Sequence, residues 1–329
     1  MKDTIYFFNS GNLSRKDGSI LFESEMGKKY IPIEKIRELF IFGEMGFNKR
    51  FLELLTKHEI PMHLYNYYGY YSGTYYPREH QNSGHVTVQQ VKHYIDEEKR
   101  LDLAKRIMVG SIENILKNLK YYERRETDIG NTINQIEQNI IKVDEIKNIS
   151  ELMTLEGRTR ELYYGTFDYI LEKEEFQFEK RTKRPPKNPI NAMISFGNSI
   201  MYNMVLSDIY KTNLDPRIGF LHATNFRRFT LNLDMAEIFK PIFVDKLIFS
   251  MINKKIISPS EFEKNLGGKY LGEEGKKKFL KNLDEKMKTV ITHPKTGQKI
   301  SQRRLIILEL YKLQKHCLGD LEYAPYIQK

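Results

Sequence analysis

The most constraining feature of the sequence is a change in the spacing of its apolar residues. Residues 1–79 contain short apolar runs separated by turn-forming residues, such as Thr4–Phe8 and Ser19–Phe22, a pattern typical of β-strands. Beyond the polar segment 80–87, apolar residues recur about every 3.6 residues, which is typical of amphipathic helices. The sequence therefore predicts an α+β protein with an N-terminal β-rich domain at 1–79, a linker at 80–87 and a mostly α-helical C-terminal domain at 88–329.

Both patterns predict individual elements. One helix at Asn48–His58 interrupts the β-rich domain, because its apolar residues recur at helical spacing. Thr127–Lys147 is helical in pattern but strongly polar, so it is predicted to project as a helical arm. Asn188 followed by Pro189 is a typical N-cap and first-turn pair, which predicts a helix from there to about Tyr210. The other predicted helical segments are Val88–Arg124 (one helix or a pair), Glu151–Leu171, Asp234–Lys255, Pro259–Leu266, Glu273–Lys286 and Ser301–Leu318.

Composition and charge narrow the class of protein. The 329 residues are 40% hydrophobic, which is ordinary for a soluble globular protein, and the single Cys317 cannot form an intrachain disulfide, so a cytoplasmic protein is expected. No apolar run approaches the about 18–20 residues that span a bilayer, and a membrane protein is not expected. The net charge is +10, and residues 81–329 account for +9 of it. A positive C-terminal domain favours a polyanionic partner such as nucleic acid, although many soluble proteins are also basic.

A cluster of tyrosines marks the end of the β-rich domain. Seven tyrosines lie between Tyr65 and Tyr76, around Gly69 and Gly73. This pattern predicts a hairpin whose aromatic side chains pack a sheet or a dimer interface. A base-stacking platform is the alternative, but such platforms interleave aromatic with basic residues, and only Arg78 is nearby.

The sequence lacks the common nucleotide-binding, zinc-binding and protease motifs, so candidate chemistry rests on single residues. Glu156 lies in the middle of a predicted helix and precedes Gly157, a residue of low helix propensity whose missing side chain lets a backbone or a ligand approach. The alternative is a solvated carboxylate that pairs with Arg160 four residues later.

A second candidate combines a histidine with two carboxylates. His222 ends the segment Gly219-Phe220-Leu221-His222, and Asp234 and Glu237 are three residues apart on a predicted helix, so both face one side. Such a set can hold a divalent metal, with the carboxylates suiting Mg²⁺ or Mn²⁺ and the imidazole favouring Mn²⁺. The alternative is a buried structural histidine and an aspartate that stabilises a helix N-terminus.

These residues stand within motifs that resemble one known family, the CRISPR-associated integrase and endonuclease of the spacer-acquisition (adaptation) complex. The resemblance spans nearly the whole chain. Its motifs are Ser14-Arg15-Lys16-Asp17-Gly18, Leu155-Glu156-Gly157, Arg184-Pro185-Pro186-Lys187-Asn188-Pro189-Ile190-Asn191-Ala192 with Ser195-Phe196-Gly197, Asp215-Pro216, Gly219-Phe220-Leu221-His222, Leu233-Asp234-Met235-Ala236-Glu237-Ile238-Phe239-Lys240-Pro241 and Tyr270-Leu271. Their order and spacing make the resemblance specific.

The resemblance implies roles for five residues. A single Mg²⁺ or Mn²⁺ ion in the family is held by residues that match Glu156, His222 and Glu237. Asp234 matches a nearby acidic position and is expected to orient the site, and Tyr202 matches a tyrosine near it, although simple helix packing would equally explain Tyr202.

The resemblance also implies a reaction on DNA. The 3′-hydroxyl of a captured DNA fragment attacks a phosphodiester of the CRISPR repeat, with the metal stabilising the charge on oxygen, in antiviral defence. A basic cluster would contact the phosphates, although each residue singly could be a solvated charge. The candidates are Arg158, Arg160, Lys180, Arg181, Lys183, Arg184, Arg227, Arg228, Lys276, Lys277, Lys278, Arg303 and Arg304. Lys180–Lys187 is predicted to be a loop because of Pro185-Pro186.

The family further implies an assembly. The chain is expected to form a homodimer through the near-neutral β-rich domain, and to join a small companion adaptation protein in a heterohexamer of two such dimers and one companion dimer. Two other functions fit the same residues. One is a metal-dependent nuclease on branched DNA or RNA, and the other is a non-catalytic basic DNA-binding scaffold in which Glu156, His222 and Glu237 are structural.

Overall fold

The computed structural model describes residues 2–78, 81, 83–171, 173–224, 229–265, 267–293 and 297–328. The chain divides into two units, residues 1–82 and 83–329. The predicted α+β class is confirmed, because strands dominate the first unit and helices the second. Among the described residues, no helix is both long and apolar enough to cross a membrane.

The first unit contains two four-stranded sheets and one helix. One sheet has the strand order β1-β5-β7-β8 and the other β4-β3-β2-β6. Their strands are β1 (Asp3–Phe7), β2 (Gly11–Lys16), β3 (Ser19–Ser24), β4 (Gly27–Pro32), β5 (Ile36–Ile41), β6 (Met45–Phe47), β7 (Met62–Tyr65) and β8 (Tyr71–Tyr75), and the helix is α1 (Lys49–Lys57).

Alternating apolar residues give this unit its core. Leu13 on β2 and Ile20 on β3 are buried with Phe51 and Leu54 of α1 and Met62 of β7. The predicted tyrosine hairpin is confirmed, since β7 and β8 pair antiparallel. The predicted helix at 48–58 is also confirmed, and the side chain of Asn48 caps it by accepting a hydrogen bond from the backbone of Phe51 at 3.1 Å.

The second unit is built from ten helices joined by loops and two short hairpins, counted over its described residues. The helices are α2 (Gly84–Ile95), α3 (Glu97–Glu123), α4 (Gly130–Glu145), α5 (Ile149–Gly165), α6 (Phe167–Leu171), α7 (Pro189–Ile209), α8 (Leu231–Phe239), α9 (Lys246–Asn253), α10 (Glu273–Lys288) and α11 (Arg304–Leu318). The hairpins pair β9 (Phe262–Asn265) with β10 (Gly268–Leu271), and β11 (Val290–Thr292) with β12 (Lys299–Ser301). A π-helical segment, Lys240–Asp245, connects α8 to α9.

Four helices, α3, α5, α7 and α8, form the centre of this unit. Helix α8 packs against both α3 and α7, and α5 packs against α3. Nearly every residue of α7 is buried, and Asn188 caps it as predicted, because its side chain accepts a hydrogen bond from the backbone of Asn191 at 2.8 Å. Residues of α5 and α8 are therefore held side by side on α3.

The prediction of a projecting arm at Thr127–Lys147 is wrong. Helix α4 occupies this segment and packs against α3 and α5. Three of its apolar residues, Ile133, Ile136 and Val143, share one face and are buried. A narrow apolar stripe is sufficient to dock a helix whose other face is polar.

One other predicted helix and two predicted boundaries also differ from the structure. Where a helix was predicted at Pro259–Leu266, the described residues 259–265 form one 3₁₀ turn, Pro259–Glu261, and strand β9, which gains its hydrogen bonds from β10. Helix α8 begins at Leu231 rather than at Asp234. The predicted linker is too long, because Ser83 caps a helix that begins at Gly84, so residues 84–87 are helical.

Candidate active site

Asp234 organises the loop that carries His222. Its buried carboxylate, in the first turn of α8, accepts backbone N–H groups from Phe220 at 2.5 Å, Leu221 at 3.0 Å and His222 at 2.9 Å. Gly219 is required for this close approach, because a Cβ atom there would lie 2.9 Å from a carboxylate oxygen of Asp234. The Gly219-Phe220-Leu221-His222 motif thus wraps around one carboxylate.

The same carboxylate fixes the imidazole of His222. The Nδ1 atom lies 2.8 Å from Oδ1 of Asp234. With Nδ1 hydrogen-bonded to a carboxylate, Nε2 is the ring nitrogen that remains for a ligand, which is the usual arrangement of a metal-binding histidine. The orienting geometry expected of Asp234 is therefore present.

Glu156 of α5 and Glu237 of α8 line one small pocket together with Ser111 of α3, Arg160 of α5 and Leu221. Arg160 contacts both carboxylates: its Nε lies 2.5 Å from Oε1 of Glu156, and its terminal nitrogen donates to Glu237. Only 13% of the Arg160 side chain and 5% of the Glu237 side chain is exposed. The alternative for Glu156 was a solvated carboxylate paired with Arg160. The pair with Arg160 is present, but it is largely buried rather than solvated.

Lys240 completes the charge balance of this pocket. Its ammonium donates to the second carboxylate oxygen of Glu237 and lies 5.0 Å from the ring centroid of Tyr202. Two carboxylates, Glu156 and Glu237, therefore face two cations, Arg160 and Lys240. Tyr202 lies beside this cluster, as expected of a tyrosine near the site.

These charges shift the pKa values of their neighbours. Burial opposes ionisation of Glu156, but Arg160, Lys240 and His222 outweigh it and hold the pKa of this carboxyl below its usual range. Burial likewise opposes ionisation of Tyr202, and Lys240 and Arg160 bring its pKa below the ordinary value. Glu156 is consequently ionised at neutral pH, as a metal ligand must be.

Glu156, Glu237 and His222 carry the kinds of ligand atom that suit a divalent cation. Two carboxylates line one pocket, and the imidazole of His222 is close enough to lower the pKa of Glu156. Within the described part of the chain, however, no three histidine, cysteine or acidic side chains lie close enough together to hold a metal ion. The Arg160 guanidinium contacts both glutamates and lies between them.

The basic residues that were predicted to contact phosphates differ in their exposure. Arg303 and Lys276 are only 6% and 7% exposed, and Arg303 pairs with buried Asp208, so the prediction is wrong for both. The guanidinium of Arg160 is paired with Glu156 and Glu237 inside the pocket, and its contact with a phosphate stays a prediction. These three side chains serve internal ion pairs or packing.

The other basic candidates differ in their surroundings. Arg181 holds its own loop by donating to the side chains of Asn191 at 2.8 Å and Ser195 at 3.0 Å. Lys277 is paired with Glu273 at 2.6 Å, and Lys278 with Glu261. The exposed candidates are Arg158, Lys180, Lys183, Arg184 and Arg304, whereas Arg227 and Arg228 lie outside the described residues.

The sequence reasoning missed three polar residues that contact the site segment. Ser111, Asn114 and Asn118 are buried on α3 and donate to backbone carbonyls between Glu237 and Pro241. Their spacing of three and four residues, inside a strongly apolar helix, was the available signal.

Comparison with known proteins gives a family match. Residues 5–285 match the family model of CRISPR associated protein Cas1. The chain is 52% identical over 327 residues to a CRISPR-associated endonuclease Cas1 of Thermodesulfovibrio yellowstonii, with 99% of both chains covered. It is 46% identical over 318 residues to the CRISPR-associated endonuclease Cas1 of Thermotoga maritima, covering 97% of this chain and 98% of that one.

Solved structures give the same result. A Cas1 protein from Thermotoga maritima superposes with a TM-score of 0.90 at 44% identity, covering 98% of this chain and 99% of that one. A casposase bound to integration product superposes with a TM-score of 0.89 and covers 100% of this chain and 94% of that one, but at 20% identity this likeness concerns the fold alone. Because the family model covers residues 5–285 and these relatives cover almost its whole length, this chain belongs to the Cas1 family.

Proposed function

We propose that this protein is a metal-dependent DNA endonuclease and integrase that inserts captured DNA fragments into a CRISPR repeat array. The observation that carries the proposal is the pocket shared by Glu156 and Glu237, with His222 held by Asp234 nearby. Relatives that are 52% and 46% identical are named endonucleases, which supports nuclease chemistry. The fold shared with a casposase bound to integration product agrees with strand transfer.

In this proposal Glu156, Glu237 and Nε2 of His222 would hold Mg²⁺ or Mn²⁺, and the guanidinium of Arg160 would have to leave the two carboxylates for the ion to bind. When bound, the metal supplies Lewis-acid stabilisation of charge on the phosphoryl, attacking and leaving oxygens. Asp234 keeps Nδ1 of His222 occupied and so directs Nε2 to its ligand. Lys240 donates a hydrogen bond to the carboxylate of Glu237 and so holds it in the pocket.

DNA would reach this pocket over exposed basic residues. Arg158 lies two residues from Glu156 on α5 and is exposed, and the loop at 180–187 presents Lys180, Lys183 and Arg184. Such side chains attract phosphates without reading sequence. The +9 charge of residues 81–329 supports the same path.

The proposed assembly uses the β-rich unit. Tyr67 and Tyr71 are 67% and 42% exposed in the chain alone, and exposed aromatic side chains are typical of protein interfaces. We assign this surface to a homodimer and expect a small companion protein to join two dimers in a heterohexamer. One chain of a Cas6-RT-Cas1–Cas2 complex shares the fold at 19% identity over 36% of its length. The buried, unpaired Cys317 agrees with a cytoplasmic site of action.

Product analysis tests the proposed reaction. The protein and its companion are incubated with repeat-bearing DNA and a labelled duplex with free 3′ ends, in Mn²⁺, Mg²⁺ or EDTA. A labelled product longer than the fragment, formed only with metal, is the expected result. Shortened products alone, from branched DNA or RNA, would favour the nuclease alternative, and DNA binding without any product would favour the scaffold.

A further inference from the structure

The helix that carries Glu237 changes form immediately after it. Helix α8 ends at Phe239 and continues as the π-helical segment Lys240–Asp245. Pro241 has no N–H group, so it cannot donate the usual helical hydrogen bond to the carbonyl of Glu237, four residues before it. The carbonyl of Pro241 accepts a hydrogen bond from the backbone N–H of Lys246, which is five residues later, as in a π-helix. π-Helical segments of this kind are frequent at functional sites.

Three side chains of α3 lie against this junction. The hydroxyl of Ser111 donates to the carbonyl of Glu237 at 2.9 Å, the amide of Asn114 to that of Ile238 at 3.2 Å, and the amide of Asn118 to that of Pro241 at 2.8 Å. All three side chains are buried. Their spacing of three and four residues places them on one face of α3.

Gln328 sets the orientation of both asparagine amides. The side-chain oxygen of Asn114 accepts from the backbone of Gln328 at 2.8 Å, and that of Asn118 accepts from the side chain of Gln328 at 3.0 Å. Because the oxygens are already engaged, both NH₂ groups must point toward the junction. A buried network in which each member is satisfied holds a single geometry.

We propose that Ser111, Asn114 and Asn118 are positioning residues that hold the junction between α8 and the π-helical segment, so that Glu237 and Lys240 both face the pocket shared with Glu156. Glu237 and Lys240 lie on either side of the change in helix form and contact each other through their side chains. Without the three donors, the junction would lose the hydrogen bonds that fix its rotation about the helix axis and its position along α3. The inference rests on the proposed function in that it treats Glu237 as a metal ligand.

The variants are chosen to separate positioning from packing. Ser111→Ala removes one donor, and Ser111→Thr keeps a hydroxyl. Ser111 also lines the pocket, so Asn118→Leu, at a position outside the pocket lining, removes a donor that cannot touch a bound metal. Thr212→Val is the matched control, because its buried hydroxyl donates to the carbonyl of Ile209 at 2.8 Å at the end of α7.

The test measures Mn²⁺ affinity of the full-length protein without DNA, together with amide hydrogen exchange across residues 231–253. We expect Ser111→Ala and Asn118→Leu to weaken Mn²⁺ binding about tenfold, as loss of groups that support metal ligands does, and to speed exchange in that segment. Ser111→Thr should restore both values, and Thr212→Val should leave both unchanged.

Two outcomes would overturn the inference. Mn²⁺ affinities of Ser111→Ala and Asn118→Leu within twofold of the wild type would show that the donors do not position Glu237. Unchanged exchange in 231–253 for both variants would show that they do not hold the junction. Absence of Mn²⁺ binding by the wild-type protein would count against the proposed metal site instead, and the exchange data would then decide the role of the donors alone.

Discussion

Nδ1 of His222 lies 2.8 Å from a carboxylate oxygen of Asp234, and that same carboxylate accepts the backbone N–H groups of residues 220, 221 and 222. Four donors thus converge on one buried acid. This arrangement makes Asp234 both a structural anchor for the loop and the group that orients the imidazole.

Asp234→Asn tests both roles. The new NH₂ group cannot accept a hydrogen bond, so at least one buried donor loses its partner, at a cost of about 1–3 kcal/mol. Urea denaturation should show this loss, and strand transfer should fall because His222 is no longer held. Asp96→Asn is the control, since Asp96 is an exposed N-cap of α3 and Asn caps equally well. Equal stability of Asp234→Asn and wild type would contradict the anchoring role.

Arg160→Gln tests whether the guanidinium occupies the position of the metal. Without metal, the variant removes the ion pairs of Arg160 with Glu156 and Glu237, and among the described residues Glu237 keeps its pair with Lys240, so unfolding should become easier by about 3–5 kcal/mol. Added Mn²⁺ should then raise the melting temperature of the variant more than that of the wild type, because it no longer competes with Arg160.

Thermal melts with and without Mn²⁺ measure this difference. Arg158→Gln, which changes an exposed arginine on the same helix, should behave like the wild type. A Mn²⁺-induced shift in Arg160→Gln that is equal to or smaller than the wild-type shift would refute the exchange of guanidinium for metal.

Gly157→Ala tests whether DNA approaches Glu156 along α5. A Cβ atom at Gly157 would meet nothing within 4 Å, so alanine should stabilise the helix by up to about 1 kcal/mol. If DNA passes over this face, strand transfer should nevertheless fall while Mn²⁺ affinity stays constant.

Gly165→Ala is the matched control, because it is equally open but lies at the end of α5. It should leave strand transfer unchanged. Full strand transfer by Gly157→Ala would show that the glycine serves no approach of DNA.

The stability of the second unit should depend on the titration of Lys286. Burial, aided by Lys246, lowers the pKa of this lysine on α10 from 10.5 to about 7. Between about pH 7 and 10.5 the unfolded chain therefore holds a proton that the folded protein has lost, so stability rises with pH, by at most about 1.4 kcal/mol per unit.

Lys286→Met should remove most of this rise. Chemical denaturation at pH 7, 8 and 9 measures it, with the exposed Lys281→Met on the same helix as control. A pH dependence in Lys286→Met as steep as in the wild type would exclude Lys286 as its source.

The fold class was predictable because the two apolar periods are local properties of the chain. Asn48 and Asn188 also marked helix starts correctly, since capping depends only on neighbouring residues. Strand β9 was not predictable, because its hydrogen bonds come from β10, and pairing of this kind is not visible in local propensity.

In the candidate site, too, contacts between residues close in the sequence were predictable and contacts made by tertiary packing were not. His222 and Asp234 could be linked from the sequence, because they lie in one loop and the helix that follows it. The position of Arg160 between Glu156 and Glu237 could not, since residues 160 and 237 meet only through the packing of α5 and α8 on α3. The burial of Arg303 against Asp208 depends on packing as well.

The most direct test of the account compares strand transfer by wild type and Glu156→Gln in Mn²⁺, using a labelled fragment and repeat-bearing DNA. Glu161→Gln, an exposed glutamate on the same helix, controls for the loss of a carboxylate. We predict that Glu156→Gln loses the joined product by at least about a hundredfold, since a metal ligand is removed, while its DNA affinity stays within about twofold, because phosphate attraction depends on the basic residues. Joining by Glu156→Gln at the rate of the wild type, with equal DNA binding, would contradict the assignment of this pocket as the catalytic site.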